Sequence, residues 1–309
     1  MKRISSEKIK NIVLGSKEKT GVAPMLAIYI LLTLLAFICF YPILHMGVNS
    51  MFSPQDLVDP SVTWLPKKLY FGNYLQAFET LDFLPSIINS IIMSLFPALL
   101  QTVMTSIVGF GLARFEFPLK KVIIIMIVFV FFIPTVVMQI PRYMMFYSYN
   151  MLNTIFPVFL PAVLGQGLKS SLFILVFYAF YSSYPVSYDE AAALDGAGKL
   201  KIYLKIAVPT ATGATILCFL FSFVWYWNET ADLNLFANNI KTLPLQLMNF
   251  TARFESLYGG AEAASDAISI NESIILAGTC LSIIPTIIFY IFLQRHFVES
   301  IDRSGLTGE

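Results

Sequence analysis

The residues with the most to say about chemistry fall in one stretch, "SYDEAAALDGAGKLKIYLKIAVP", running from Ser187 to Pro209. Ser187 and Glu190 stand three apart, the spacing of a capping box. There the serine oxygen takes a first-turn backbone N–H and the glutamate reaches back to the helix start. Asp189 and Glu190 sit in the first turn, where the helix dipole favours negative charge. Ala191, Ala192 and Ala193 continue with the best helix former available. Asp195 follows, and Gly196 supplies the left-handed residue that ends a short helix. Lys199, Lys201 and Lys205 then alternate with apolar side chains, as in a segment lying along a membrane surface. Pro209 lacks an N–H and suits a helix start or a kink. The predicted unit is a short helix, a sharp turn and a second helix. Its alanine face admits close approach by another surface; a well-capped loop that touches nothing satisfies the same local rules.

The elements that must hold this unit are written for lipid. Hydrophobic residues make up 57% of the 309 and charged residues only 13%, against about 25% charged in soluble chains. The apolar residues come in long uncharged runs, among them Phe83–Ala113, Val122–Pro141 and Ser273–Gln294. A helix needs about 20 mainly apolar residues to cross a bilayer, and backbone groups in lipid must bond within their own segment or in a closed barrel. The ten-residue alternation of barrel strands is absent. An all-α, polytopic membrane protein is therefore expected. Six spans are predicted at about 22–48, 85–113, 119–141, 154–181, 206–228 and 272–295, between tails at 1–21 and 296–309. The first apolar run lacks a small-residue cleavage site and is too long for a signal peptide, so it reads as a retained helix.

Orientation follows from the lysine and arginine bias of the loops. With the amino terminus inside, fourteen of the twenty Lys and Arg fall on the inner side, including those of 1–21, Arg114, Lys120, Lys121, Lys199, Lys201 and Lys205. Only Lys67, Lys68, Arg142, Lys241 and Arg253 fall outside. Both termini and the loop 182–205 are thus expected in the cytoplasm. Two longer loops, 49–84 and 229–271, face outward.

Within the spans, Lys169 in "GQGLKSSLFI" is the most expensive residue, since a lysine at the centre of a membrane helix costs about 2.5–3.5 kcal/mol on insertion scales. Gly165 and Gly167 imply a bend there, so that Gln166 and Lys169 face a wet cavity and offer a donor and acceptor to a polar solute. A lysine that snorkels, or that pairs inside a subunit contact, is the alternative. Asn228 and Glu229 lie at the outer mouth of the fifth span, where an interfacial role competes with solute contact. Cys39, Cys218 and Cys280 read as packed small hydrophobes, and His45 and His296 have no partner at metal-binding spacing. No nucleophile with its base and no metal cluster appears near the spans, which argues against a membrane enzyme. A secondary transporter is disfavoured as well, because no span interior carries Asp or Glu and no repeated half is visible.

Glu190-Ala191-Ala192, three residues, Gly196, nine residues, then Ile206-Ala207-Val208-Pro209 closely resembles the EAA motif of ATP-binding-cassette importer permeases, with Val208 in place of the usual leucine. The resemblance runs over nearly the whole chain and points to the maltose-type, carbohydrate-uptake branch. "FGNYLQAF" (71–78), "GFGLARFEFP" (109–118), "LNTIFPVFLP" (152–161), "WYWNE" (225–229) and "TLPLQL" (242–247) are similar to family segments at matching places. The tail "QRHFVESIDRSGLTG" (294–308) is similar only loosely. The resemblance implies the type I permease fold and a coupling helix seated in a cleft of a separate ATPase. Glu190, Ala191, Ala192, Asp195, Gly196, Ile206 and Pro209 are the residues it places there. It also implies two ATPase subunits that bind ATP and magnesium, a second permease chain of similar fold, and an external solute-binding protein. No phosphate loop of the form G-x-x-x-x-G-K-[ST] is present, so ATP hydrolysis is expected of the partner. Neither a cofactor nor a nucleic acid is expected of this chain. A sugar or oligosaccharide is the expected solute, with a peptide or an anion as the alternative.

Overall fold

A computed structural model of the chain describes residues 15–16, 19–259 and 270–305. The basic residues of 1–14, Lys17, the 260–269 part of the second outer loop and the last four residues lie outside the described residues. Apart from a two-residue antiparallel pair, Gly15–Ser16 (β1) with Lys19–Thr20 (β2), the described elements are helices. They form two compact units, each described by itself below: the residues up to Leu75 with Ile270–Cys280, and Gln76 onward with Leu281 onward.

In the first unit, α1 (Val22–Asn49) is apolar all round and none of its 28 residues is buried, as befits a helix surrounded by lipid. A short helix, α2 (Pro54–Val58), follows and carries a complete capping box: Asp56 N–H donates to Ser53 Oγ and Ser53 N–H to Asp56 Oδ2, both at 3.2 Å. The start of α3 (Gly72–Thr80) is pinned by Asn73, whose buried amide donates to the carbonyls of Ser50 (2.9 Å) and Phe52 (2.8 Å).

The second unit is organised around α4 (Phe83–Arg114), 32 residues long. Its buried face is small and polar: Ser86, Ser90, Ser94, Gln101, Thr102, Thr105 and Ser106. Small residues let membrane helices approach closely, and hydroxyls there bond across or along helices. Ser90 Oγ, for example, accepts the N–H of Leu243 at 2.7 Å. Helix α5 (Lys120–Phe132) ends before Pro134 and turns through 99° into a 3₁₀ turn (Thr135–Met138) and α6 (Gln139–Ser148). A proline biases the residue before it to extended backbone, and Ile133 adopts φ −72°, ψ 123°. The apolar run 119–141 is therefore bent rather than straight.

The stretch expected to be a fourth span is interrupted as well. It consists of α7 (Phe156–Val163) and α8 (Ser170–Ser183), separated by a non-helical link that contains Gly165 at φ +68° and Lys169 at φ +55°. Next come α9 (Ser187–Leu194), α10 (Lys199–Ile202), a π turn (Tyr203–Ala207) and α11 (Val208–Thr210). The chain then bends by 79° into α12 (Thr212–Trp227). Residues 206–210, expected within the fifth span, thus lie before its bend. Pro209 has no N–H to give to the turn behind it, and hydroxyls add bonds around it: Thr210 Oγ1 donates to the carbonyls of Ile206 (3.0 Å) and Ala207 (2.9 Å), and Thr212 Oγ1 to that of Pro209 (2.6 Å). Three short helices, α13 (Ala231–Phe236), α14 (Leu243–Met248) and α15 (Phe250–Tyr258), complete the segment up to Gly259. The last helix, α16 (Glu272–Gly305), packs Phe289 on Phe223 of α12 at 3.7 Å between ring centroids.

By length and composition α1, α4 and Glu272–Phe292 are able to cross a membrane, and treating each bent pair as one span raises the number to five. The interrupted α7–α8 segment is the remaining candidate crossing. Cys218 and Cys280 are buried and Cys39 is exposed on α1.

Candidate functional site

The stretch singled out by its spacing folds as an elbow whose two sides differ. On α9, Asp189 points inward and is buried, whereas Glu190, Ala191, Leu194 and Asp195 are exposed and Ala192 is half-buried. Gly196 follows at φ +80° and is itself exposed. A Cβ there would meet nothing within 4 Å, so the backbone conformation alone calls for glycine. Ile206 is half-buried and Pro209 exposed.

The expected capping box is not formed. Ser187 lies inside the first turn, the residue before the helix is Val186 in a helical conformation, and no side chain caps it. The carboxylate that anchors the helix is Asp189 rather than Glu190. Its Oδ2 lies 3.1 Å from Arg114 Nε, an ion contact rather than an aligned hydrogen bond, with side chains 8% and 12% exposed. Tyr184 Oη donates to Asp189 Oδ1 at 2.8 Å, and Arg114 Nη2 donates to the Tyr184 carbonyl at 2.8 Å. The guanidinium also lies over the Tyr184 ring, 3.8 Å from its centroid. Burial, and then the bond to Asp189, push the Tyr184 hydroxyl above its ordinary pKa, which keeps it a donor. Beneath the second arm, Tyr203 Oη donates to Ser106 Oγ at 3.1 Å, and Ser106 pairs with Tyr181 Oη at 2.7 Å. Phe110 packs on both rings, 5.5 Å from Tyr181 and 5.1 Å from Tyr203 between centroids.

A second feature is a cavity of about 770 Å³ at the two breaks in the apolar helices, lined by Gln166, Lys169, Arg142, Tyr226, Glu229 and Asp232 on its polar side and by α5 residues such as Met126 and Val130 on the other. That volume falls within the range of small-molecule sites, about 300–1,000 Å³. The link 164–169 is held open by a ring of three hydrogen bonds. Gln101 Nε2 donates to the Leu168 carbonyl (2.6 Å), Tyr226 Oη donates to Gln101 Oε1 (2.7 Å), and Leu168 N–H donates back to Tyr226 Oη (3.3 Å). Gly167 leaves room for this ring: a Cβ there would press on Gln101 Oε1 and Tyr226 Oη, which would have to shift. The next residue but one, Lys169, is exposed to the cavity and has no carboxylate within salt-bridge distance among the described residues.

Arg142 is paired instead, with Nη1 2.8 Å from Asp232 Oδ2. Just past the end of α12, Glu229 is pushed above the ordinary carboxylate pKa by burial, against the lowering effect of the Asp232 N–H bonded to it at 2.8 Å. The structure thus brings Gln166 and Lys169 together and leaves Asn228 out. The Asn228 amide bonds back to the Val224 carbonyl of its own helix at 2.8 Å, a common use of asparagine at a helix end.

A family model described as binding-protein-dependent transport system inner membrane component matches residues 101–303, two thirds of the chain and the whole elbow. The chain belongs to that family. Its curated relatives include the probable starch degradation products transport system permease protein AmyC of Thermoanaerobacterium thermosulfurigenes, 28% identical over 88% of this chain and 92% of the relative. Another is the melibiose/raffinose/stachyose import permease protein MelC of Bacillus subtilis (strain 168), 26% identical over 81% and 86%. Among solved structures, a chain from a bacterial ABC transporter involved in the import of the acidic polysaccharide alginate shares the fold at a TM-score of 0.70, with 21% identity over 88% of this chain and 95% of that one.

Several residues that shape this permease escaped the sequence reading. Gln101 and Tyr226 were hidden as ordinary polar residues in spans, Arg114 and Asp232 as loop charges, and Asp189 as a first-turn carboxylate beside Glu190. One signal was available: Ser86, Ser90, Ser94, Gln101, Thr105 and Ser106 recur at helical spacing along α4. In a helix written for lipid, such a polar stripe marks the face turned to protein.

Proposed function

We propose that this permease carries a sugar or oligosaccharide across the bacterial plasma membrane by alternating access, driven by ATP hydrolysis on separate subunits. In this reading it crosses the membrane six times, with α7 and α8 as one broken crossing, and has both termini in the cytoplasm. The inner-side excess of Lys and Arg supports that orientation. Two ATPase subunits bind the ATP and magnesium, a second permease chain of similar fold completes the pore as a heterodimer, and an external solute-binding protein delivers the solute. Glu190, Ala191, Ala192, Asp195, Gly196, Ile206 and Pro209 form the part that meets an ATPase subunit. The sugar is favoured by the relatives, whose names give starch degradation products and melibiose, raffinose or stachyose.

The observation that carries this reading is the two-sided elbow. Leu194 is 90% exposed, beside exposed Ala191, on a helix whose opposite side is tied down through Asp189. An apolar side chain that bare, next to an alanine, fits a partner cleft better than water. Gln166 and Lys169 supply donors and an acceptor along the solute path. The test is reconstitution in proteoliposomes with the partner subunits. Uptake of an oligosaccharide should require both ATP and the loaded binding protein, and uptake without ATP would contradict the reading.

A further inference from the structure

Both arms of the elbow are fastened to one helix, α4. The first arm is held at the last residue of α4, where Arg114 contacts Asp189, stacks on Tyr184 and donates to the Tyr184 carbonyl. The second arm is held about two turns back, where Tyr203 reaches Ser106. The two fastenings are eight residues apart on one rod, about 12 Å along its axis at 1.5 Å per residue. Two attachments at that separation pass on rotation as well as translation.

The covalent route is built differently. From the elbow into α12 the chain runs through the π turn 203–207, Pro209 and a 79° bend at Ala211. Backbone bonding continues at the bend, with Ala211 N–H donating to the Ala207 carbonyl at 3.0 Å, and the hydroxyls of Thr210 and Thr212 add bonds to the carbonyls of Ile206, Ala207 and Pro209. Beside this backbone route, the buried contacts to α4 give displacement of the elbow a second route, through side chains, into the apolar helices.

We infer that Arg114 and Asp189 are positioning residues of the transport cycle. They transmit motion of the elbow to the second span, whose polar face carries Gln101 and, through it, the cavity link 164–169. This rests on the elbow being the seat of the ATPase. The path is then continuous: elbow, Asp189, Arg114, α4, Gln101, Leu168, with Lys169 the next residue.

The experiment uses the full assembly in proteoliposomes and reads solute taken up per ATP hydrolysed, with copurification of the ATPase subunit as a second readout. Arg114→Lys keeps the charge but loses the fork and the stack, Asp189→Asn keeps the shape, and Tyr184→Phe removes only the hydroxyl that donates to Asp189. Uptake per ATP should fall about tenfold in the first two and about two- to threefold in Tyr184→Phe. Hydrolysis stimulated by the loaded binding protein should stay within about twofold of the parent. Should Arg114→Lys fail to insert, the milder Tyr184→Phe decides. An unchanged ratio, or uptake and hydrolysis falling in step, overturns the inference while leaving the elbow reading standing. A parent chain that does not hold the ATPase subunit overturns both.

Discussion

Tyr226 Oη donates to Gln101 Oε1 over 2.7 Å, and this bond between α12 and α4 fixes the opening in the segment between α7 and α8. Gln101 spends its amide on Leu168, and Tyr226 spends its lone pairs on the Leu168 N–H. A helix broken in an apolar surrounding exposes backbone groups that must find partners, and these two side chains are those partners at Leu168.

Tyr226→Phe should therefore destabilise the protein while filling the same space. It leaves a buried amide oxygen and a backbone N–H without their partner, at a cost of about 1–3 kcal/mol. Thermal unfolding in mild detergent should shift to lower temperature, and the solute concentration for half-maximal uptake should rise because Lys169 is positioned by the same link. Unchanged melting would mean that the ring of bonds is not what holds the link.

Gly196 offers a cleaner test of conformation. Its φ of +80° strains any residue with a Cβ, and its surroundings leave room for one. Gly196→Ala should cost about 1–2 kcal/mol locally, and Gly196→Val more. Gly196→Asn should be the mildest, because asparagine enters the left-handed region more readily. Uptake should follow the order Asn, Ala, Val, with membrane insertion unchanged on a detergent-extraction blot. Equal activity in all three would separate the turn from transport.

Lys169→Met removes the cation from the cavity wall and keeps much of the side chain's bulk. Expression should hold or improve. Uptake kinetics should change, either in the half-saturating concentration or in the preference among oligosaccharides. Kinetics identical to those of the parent would return Lys169 to a role in subunit packing.

Arg142 and Asp232 form a partly buried pair at 2.8 Å, with side chains 25% and 12% exposed. Removing one partner should destabilise more than removing both, since a lone charge is left in the cavity wall. In a double-mutant cycle with Arg142→Met and Asp232→Leu, melting temperatures should show a coupling of about 1–3 kcal/mol. Additive losses would show that the two act independently.

The all-helical membrane architecture was legible because lipid imposes long uncharged runs, and the left-handed turn at Gly196 because few other residues take that conformation. What was not legible depends on partners distant in the chain. The capping box expected at Ser187 failed because Val186 is already helical. The same motif forms at Ser53 and Asp56, where Ser53 is extended. Glu190 looked like the anchoring carboxylate, but Asp189 holds that place through Arg114, seventy-five residues away. The bend at Pro134 had a local signal in the proline itself. The Gln101–Tyr226 bond had none beyond the polar stripe on α4, because nothing in a single sequence says which polar residues of two spans will meet.

Site-directed photo-crosslinking from the elbow tests the coupling role most directly. With exposed Cys39 changed to serine, and Cys218 and Cys280 buried, a benzophenone maleimide would label Ala191→Cys or Leu194→Cys as the exposed thiol of this chain, which is labelled before it is assembled with the other subunits. Illumination should join either position to a nucleotide-hydrolysing subunit, and Trp64→Cys, also exposed and in the loop 49–84 that the proposed topology assigns to the outer side, should yield no such product. A transport-competent assembly in which neither elbow position gives the adduct, or in which position 64 does, would contradict the docking of the ATPase on this elbow.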